Sequence, residues 1–376
     1  MKFLHTGDLH IGKTVNDFSM LEEQRSILQQ IIEICSKEKV DAAVLAGDIY
    51  DRAIPPSEAV TLLDEFLTQM VKLKIPVLLI SGNHDSPERV GFAEEILQEK
   101  GIHIAGVYKG ELKKVVLTDE YGEVTFALLP FIKPALVGVK TSGEAVERIL
   151  EKEKYREDAR RVLVTHFFVT NGGKEPETSE GETMIHVGGL DNVEATLFDD
   201  FDYVALGHIH KRQRIGEKQV YYAGAPLAYS FSEAGKSKSV NLVELGRKGQ
   251  VTVTEVPLHP IHEMRKIKGK LEELMAKEVV EAADRFDYIQ AQLTDEEELI
   301  DPIGTLRSVY PNIMQIVLMK NEAIGNIEYE SKAAEKRKSI PELFTGFYEV
   351  IRGEGPDEER MEIIEATARE VREVEL

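Results

Sequence analysis

Five short clusters of donor-bearing residues punctuate the first 210 positions: GDLH at 7–10, GDIYD at 47–51, GNHD at 82–85, TH at 165–166 and GHIH at 207–210. They supply Asp8, His10, Asp48, Asn83, His166, His208 and His210, a mixture of hard oxygen and borderline nitrogen donors suited to divalent cations. Asp8 and His10 are two positions apart, so on a strand-end loop both can face one ion. Asp48 has two carboxylate oxygens and can bridge a pair of ions about 4 Å apart. Asn83 adds a neutral carbonyl ligand, which limits charge crowding beside Asp48. His208 and His210 project to one side with Ile209 turned inward, so each can serve one ion, with His166 as a further ligand. His84, beside Asn83 but pointing elsewhere, is left to protonate or steady a leaving oxygen. The series reads as a two-metal phosphoesterase site. Mixed imidazole and carboxylate ligation favours Mn2+, with Mg2+ the second choice.

Each cluster follows a strand-like apolar run: Lys2–Thr6, Ala42–Ala46, 76–81, 162–164 and 203–206. Strand ends are where the loops of an open α/β sheet converge on one rim. Apolar residues at three- and four-residue spacing predict helices over 21–37 and Ser57–Leu73, the second expected to be capped by Ser57 after two prolines. Further on come short strands at 113–117, 125–129, 219–222 and 240–245, separated by turn residues. The expected architecture is α/β: two sheets packed face to face, with helices outside. The polar, Gly-rich stretch 171–183 reads as a mobile rim loop. Between 257 and 263 the pattern resets. Residues 263–320 offer a strand, a short helix, a strand ending at Leu293, a helix over 302–309 and a strand Ile313–Leu318, a small α+β cap unit. After the charged SKAAEKRKS at 331–339 come two amphipathic helices split by RGEGP at 352–356. Phe344, Phe347, Tyr348 and Ile351 line the first; Met361, Ile364, Ala368 and Val371 line the second. The expected domains are therefore 1–258, 259–325 and a linker with helical tail over 326–376.

A chain of 376 residues, 42% hydrophobic and 30% charged, has the composition of a soluble globular protein. No apolar run approaches the roughly 20 residues of a membrane span, and MKFLHTGDLH leaves no room for a signal-peptide core. A cytoplasmic location without membrane attachment is expected. Cys35 shares a helical face with Ile27, Ile31 and Ile34 and reads as a buried small hydrophobe. His5 and His103 lie within strands and read as core or edge residues, Asp51 as a turn residue at the margin of the site, and His186, His259 and His262 as surface or linker residues. The net charge of −21, from 46 basic against 67 acidic residues, is ill suited to gripping nucleic acid unaided. A polyanionic substrate would have to be held by metal ions, by a local basic rim of Lys13, Arg52, Arg89, Lys211 and Arg212, or by a partner. The segment 341–376 holds eleven acidic and four basic residues, a net of −7, with its aromatics on one face. That suits an apolar groove with a basic border better than DNA.

In this order the motifs resemble those of the calcineurin-like metallophosphoesterases. Together with YYAGAPLAYSFSEAGKSKSV at 221–240, the cap unit and the tail, they resemble the nuclease subunits of bacterial SbcCD complexes, relatives of the archaeal and eukaryotic double-strand-break repair nucleases. The resemblance implies that Asp8, His10, Asp48 and His210 bind one metal, that Asp48, Asn83, His166 and His208 bind the other, and that His84 is the catalytic histidine. It further implies manganese-dependent DNA cleavage, both double-strand exonucleolytic and single-strand or hairpin endonucleolytic, in end processing and repair. It implies a homodimer and an SbcC-type coiled-coil ATPase that takes the tail through Phe344, Phe347, Tyr348, Ile351, Met361 and Ile364, giving a heterotetramer that is nucleoid-associated when on DNA. Ala225 stands where many relatives carry serine, which weakens the expectation of a phosphate contact from that loop. Two other readings use the same residues: a phosphoesterase for nucleotides or other small phosphoesters, and a binding scaffold with a decayed site. No ligand is missing from the motifs, which speaks against the scaffold.

Overall fold

AAVLA and VLLI are unbroken apolar runs and KFLHT is buried at every position after its lysine, which suits strands covered on both faces. In the computed structural model they lie in the middle of a six-stranded sheet with the spatial order Val251–Leu258, Lys238–Leu245, Lys2–Thr6, Ala42–Ala46, Val77–Ile80, Ile102–Ala105. The last four run parallel, and the first two join antiparallel. A second six-stranded sheet has the order Gln213–Arg214, Val220–Tyr222, Tyr203–Gly207, Arg160–His166, Gly122–Leu129, Lys113–Asp119, again parallel inside with antiparallel edges. The structure describes residues 1–154, 156, 158–179, 190–297, 299–319, 345, 348, 355–357, 360 and 361.

Register decides which side chains meet. Phe3, Val44, Leu78 and Ile80 of the first sheet pack on Phe126, Leu128, Val164 and Tyr203 of the second. Phe3 meets Phe126 and Tyr203 edge-on, with centroids 5.3 and 5.6 Å apart. The alternate residues Leu4, Leu45 and Leu79 point outward beneath the helices Leu21–Glu38 and Ser57–Leu73, which cover them with Ile27, Ile31, Leu62, Phe66 and Met70. On the far side Leu163, Val204 and Leu206 lie under Ala145, Val146 and Ile149 of the helix Ser142–Leu150. This is the expected two-sheet sandwich with helices outside.

The expected cap of the second helix is corrected. Pro56 occupies the N-cap at φ −65° and ψ 156° with no side-chain cap bond, and Ser57 is the first helical residue, its hydroxyl directed 3.2 Å to the Glu58 carboxylate. Proline fixes the extended backbone that a cap position requires, and its carbonyl receives the N–H groups of Ala59 and Val60.

The chain divides into two compact units, Met1–Leu293 with Glu298–Val317, and Thr294–Glu297 with Leu318–Leu376. The first also contains a three-stranded sheet, Met264–Gly269, Tyr288–Leu293 and Ile313–Leu318, with a core of Leu274, Ile289, Leu306, Tyr310 and Ile313. In the second, Thr345 Oγ1 lies 3.4 Å from Met361 Sδ and the Arg360 guanidinium 5.9 Å from the Tyr348 ring. Of the tail residues named above, Phe344, Phe347, Ile351, Ile364, Ala368 and Val371 lie outside the described residues, as do 331–339, 180–183 and His186. Among the described residues no helix is long and apolar enough to cross a membrane.

Candidate metal centre

The central strands of both sheets deliver their loops to one rim, and the backbone there is unusual. Asp8, His10, Asp48 and His208 have φ of 52°, 45°, 49° and 100°, the left-handed region that non-glycine residues seldom occupy. Backbone bonds hold them: Asp8 N–H to Gly47 O at 3.0 Å, His10 N–H to Asp48 O at 3.0 Å, and Ile11 N–H to Ile49 O at 2.9 Å extend the pairing of the parallel strands beyond their ends. Close approach explains two of the glycines. A Cβ on Gly207 would sit 1.9 Å from Ala46 O, and one on Gly82 would sit 2.1 Å from Asp48 Oδ1.

All seven expected ligands meet at this rim, four of them (Asp8, His10, Asp48 and His166) fully or nearly buried. His10 Nε2 is 3.1 Å from His210 Nε2 and 3.7 Å from Asp48 Oδ2. His166 Nε2 is 3.4 Å from Asp48 Oδ2 and 3.0 Å from Asn83 Oδ1, and His208 Nδ1 is 2.9 Å from the same amide oxygen. A carbonyl oxygen can only accept, so His166 donates from Nδ1 to Ala46 O at 2.7 Å and turns the lone pair of Nε2 inward. Asp8 Oδ1 accepts from the His208 N–H at 2.8 Å, while Asp8 Oδ2 and His10 Nδ1 are buried without a hydrogen-bond partner. Ligands around a divalent ion at about 2.1 Å stand about 3 Å apart when at right angles. The donor spacings and the unpartnered Asp8 oxygen fit divalent cations. Asp8–His10–His210, His10–Asp48–His84 and Asp8–Asp48–His166 each bring their ligand atoms within 4.8 Å of one another.

His84 sits beside this set. Its backbone N–H donates to Asp48 Oδ1 at 2.9 Å, and its Nδ1 donates to the carbonyl of Asp51 at 3.0 Å, which leaves Nε2 as the free end of the ring for proton work. Asp51 therefore touches the site through its carbonyl, while its carboxylate holds Lys13 at 2.6 Å.

Burial and charge compete at every acid and base here. Burial pushes the Asp8 carboxyl up to about 6, against the pull of His166 and His210. Burial also acts to raise Asp48, but His166, His10 and His84 outweigh it and hold the carboxyl well below the usual range. His166 is raised to about 9 because Asp48 and Asp8 overcome its burial, whereas burial drives His10 well below its ordinary value. Cation binding would therefore compete with protons for the His166 ring, since ligation requires the Nε2 lone pair.

Several residues that organise the rim carried no expectation. Asp85 accepts from the N–H groups of Ile49, Tyr50 and Gly82 at 3.0, 2.9 and 2.8 Å, tying the Asp48 loop to the Asn83 loop, and burial pushes it up to about 6. The Gln24 amide donates to His10 O at 2.7 Å and accepts from Gly12 N–H at 2.9 Å. Tyr229 donates to Leu9 O and lays its ring edge-on to His10 and His210. Asp85 is the last letter of GNHD and Tyr229 lies in the 221–240 stretch, so both were within motifs already singled out; Gln24 had no such signal.

Of the expected basic rim, Lys13 is held by Asp51 and lies 5.6 Å from the Tyr229 ring, and the exposed Arg52 is 3.9 Å from the same aspartate. Lys211 pairs with Glu177. Arg212 turns away to Asn241 at 2.6 Å and Glu255 at 3.0 Å, and Arg89 is exposed. His5 is a core residue between the Tyr203 hydroxyl at 2.8 Å and Leu206 O at 3.2 Å, pushed down to about 3 by burial. His262 is not a bare linker residue: its Nδ1 pairs with the buried Glu23 at 2.7 Å.

The sequence profile of the Calcineurin-like phosphoesterase family matches residues 1–212, and that of the Type 5 capsule protein repressor C-terminal domain matches 260–351. A curated protein of Staphylococcus epidermidis, the SbcD component of the nuclease SbcCD, is 32% identical over 358 residues, covering 93% of this chain and 92% of its own length. Among solved structures, one from Thermus thermophilus aligns with a TM-score of 0.40 at 14% identity, covering 68% of this chain and 98% of its own. A dimetal phosphatase from Danio rerio aligns with a TM-score of 0.38 at 12% identity, covering 67% of this chain and 98% of its own.

Proposed function

The chain belongs to the calcineurin-like phosphoesterase family, alongside the SbcD component of the nuclease SbcCD, and from that premise we propose that it is the metal-dependent DNA nuclease of an SbcCD-type complex. The observation that carries the reading is the convergence of His10, Asp48, Asn83, His166, His208 and His210 at spacings of 2.9–3.7 Å, with Asp8 within 4.8 Å of His10 and His210 and of Asp48 and His166, and His84 at their edge. Asp8, His10, Asp48 and His210 would hold one ion, and Asp48, Asn83, His166 and His208 the other. When bound, two divalent ions supply Lewis acidity that lowers the pKa of water and offsets charge developing on the phosphate. Asp48 would serve both positions, its Oδ2 lying between His10 and His166 while its Oδ1 is held by the His84 N–H. The Ala46 carbonyl keeps the His166 lone pair pointed inward, and the Asp51 carbonyl aims His84 Nε2 so that it can deliver a proton to the departing sugar oxygen. Mn2+ is preferred over Mg2+ on the strength of the nitrogen donors.

The working division remains a nuclease domain over 1–258, a cap over 259–325 and a tail over 326–376 that engages an SbcC-type ATPase, in a cytoplasmic protein. Exonucleolytic and hairpin-opening activities belong to the same reading. For the homodimer, 92–97 offers a candidate contact face, where Phe92 and Ile96 are 79% and 70% exposed. Of the basic rim, the exposed Arg52 and Arg89 are the cations best placed to meet a DNA backbone.

The test is manganese-supported degradation of blunt duplex DNA, with and without the ATPase, against a panel of nucleotides and small phosphoesters. Activity confined to the small substrates would favour the alternative phosphoesterase. Deletion from Pro341 should leave cleavage of small phosphodiesters intact and abolish co-purification with the ATPase; unchanged co-purification removes the tail from the partner interface.

A further inference from the structure

We infer that the cavity beside His210 binds a backbone phosphate that flanks the cleaved bond, with Lys236 and Lys211 as its cations and the Glu177 carboxylate as a built-in competitor for them. The inference rests on the nuclease reading above and deepens it. The cavity has a volume of 190 Å3, and its walls carry Lys211, Arg212, Lys236 and Lys238 against the carboxylates of Glu233 and Glu255. His210, an expected metal ligand, forms part of the same wall. A strand that placed one phosphate at the ions would therefore bring a neighbouring phosphate to these cations.

Pairing separates the four cations into two kinds. Lys238 is bound by the buried Glu233 carboxylate and by His210 O at 3.2 Å, and Arg212 by Asn241 at 2.6 Å and Glu255 at 3.0 Å. These two build the wall. Lys211 and the exposed Lys236 answer instead to a carboxylate from another segment. Glu177 pairs with Lys211, which together with the charges of Lys236 and Lys174 holds its carboxyl below the usual range. The Glu177 backbone is fixed at both polar groups: its N–H donates to Gln213 Oε1 at 2.9 Å, and its carbonyl accepts from Gln213 Nε2 at 2.8 Å. The Glu177 side chain is 74% exposed, so its ion pair is weak and readily exchanged. A phosphodiester presents two non-bridging oxygens that can meet both ammonium groups at once. Glu177 therefore keeps the cations occupied in the free protein and yields them to DNA.

The test follows Mn2+-supported cleavage of a short duplex by the full chain at several salt concentrations. Lys236→Ala should raise KM about 2–5-fold and lower the slope of log KM against log salt by about 1. Glu177→Gln should move KM the other way, because it removes the competitor and leaves both cations. Lys37→Ala carries the same charge change as Lys236→Ala and reports the global field alone: Lys37 is exposed in the last turn of the helix Leu21–Glu38, before the strand Ala42–Ala46 whose far end leads to Asp48. A second arm places one neutral methylphosphonate at each linkage around the cleaved bond in turn. At one linkage the wild type should lose what Lys236→Ala loses, and the variant should lose nothing more. Lys236→Ala no different from Lys37→Ala, an unmoved KM for Glu177→Gln, or methylphosphonate losses that add to those of Lys236→Ala at every linkage overturns the inference and leaves the nuclease reading standing. A wild type that cleaves small phosphodiesters and not DNA overturns that reading, and this inference with it.

Discussion

Asp48 is the residue on which the centre turns, because it is the ligand assigned to both proposed positions, with His10 at 3.7 Å and His166 at 3.4 Å from the same oxygen and the other oxygen held by the His84 N–H. Asp48→Ala should take metal stoichiometry from two to none and lower phosphodiester turnover by at least 10²–10³-fold, on the order of what losing a key electrostatic group costs. Elemental analysis of the desalted variant checks this; two retained ions would contradict the bridging assignment. His84 makes the opposite prediction, since its ring is anchored to a carbonyl outside the ligand set. His84→Gln should keep both ions and lose about 10²–10⁴-fold in kcat. These residues were legible because their types and their place after apolar runs are written in the chain. Asp85 was not, because its function is to accept three N–H groups from loops more than thirty positions apart, and no single-residue signal marks an aspartate that binds backbone.

Central strands declared themselves more clearly than edges. Ala42–Ala46 is legible to the residue, since burial on both faces forces an unbroken apolar run, and Lys2–Thr6 is legible by its place before GDLH. Val251–Leu258 was not anticipated: this edge strand alternates with threonine and glutamate and contains Pro257 near its end, so it reads as a loop until a neighbour offers it a ladder. Ser57 misled because a residue with good cap chemistry lay one position inside a proline with better cap geometry. The edge of the second sheet depends on a different device. Arg160 reaches Asp119 with two bonds of 2.5 and 2.9 Å and also donates to Gly122 O and Gly246 O, pinning the 119–122 hairpin turn to the turn at Gly246. The Arg160 guanidinium holds the Asp119 carboxyl well below its usual 3.8. A depressed carboxylate stabilises the fold above its unfolded value and loses that contribution as pH falls through its folded one. Asp119→Asn should therefore lower stability by about 1–3 kcal/mol at pH 7, and the gap to wild type should narrow steadily as the pH is taken below 3.8. Parallel thermal melts across that range check it; a gap independent of pH would show that the charge does not matter.

At the scale of the molecule, a net charge of −21 means that affinity for DNA cannot come from the global field. It leaves the cations at the rim, and whatever the tail recruits, to overcome the repulsion. The metals should also report in stability. Ligand that binds only the folded state adds about 2.7 kcal/mol at a hundredfold excess over Kd. Chelator-treated protein should accordingly melt several degrees below the Mn2+-loaded protein, and coincident melting curves would mean that the pocket does not take up the ion. The composition of the ligand set has one more consequence. Asp8, His10, Asp48 and Asn83 follow strands of one sheet, and His166, His208 and His210 follow strands of the other. Each proposed ion position therefore draws donors from both halves of the sandwich. The cations would act as a stitch across the seam, so anything that slides one layer past the other by a single residue would silence the enzyme while leaving every catalytic side chain unaltered.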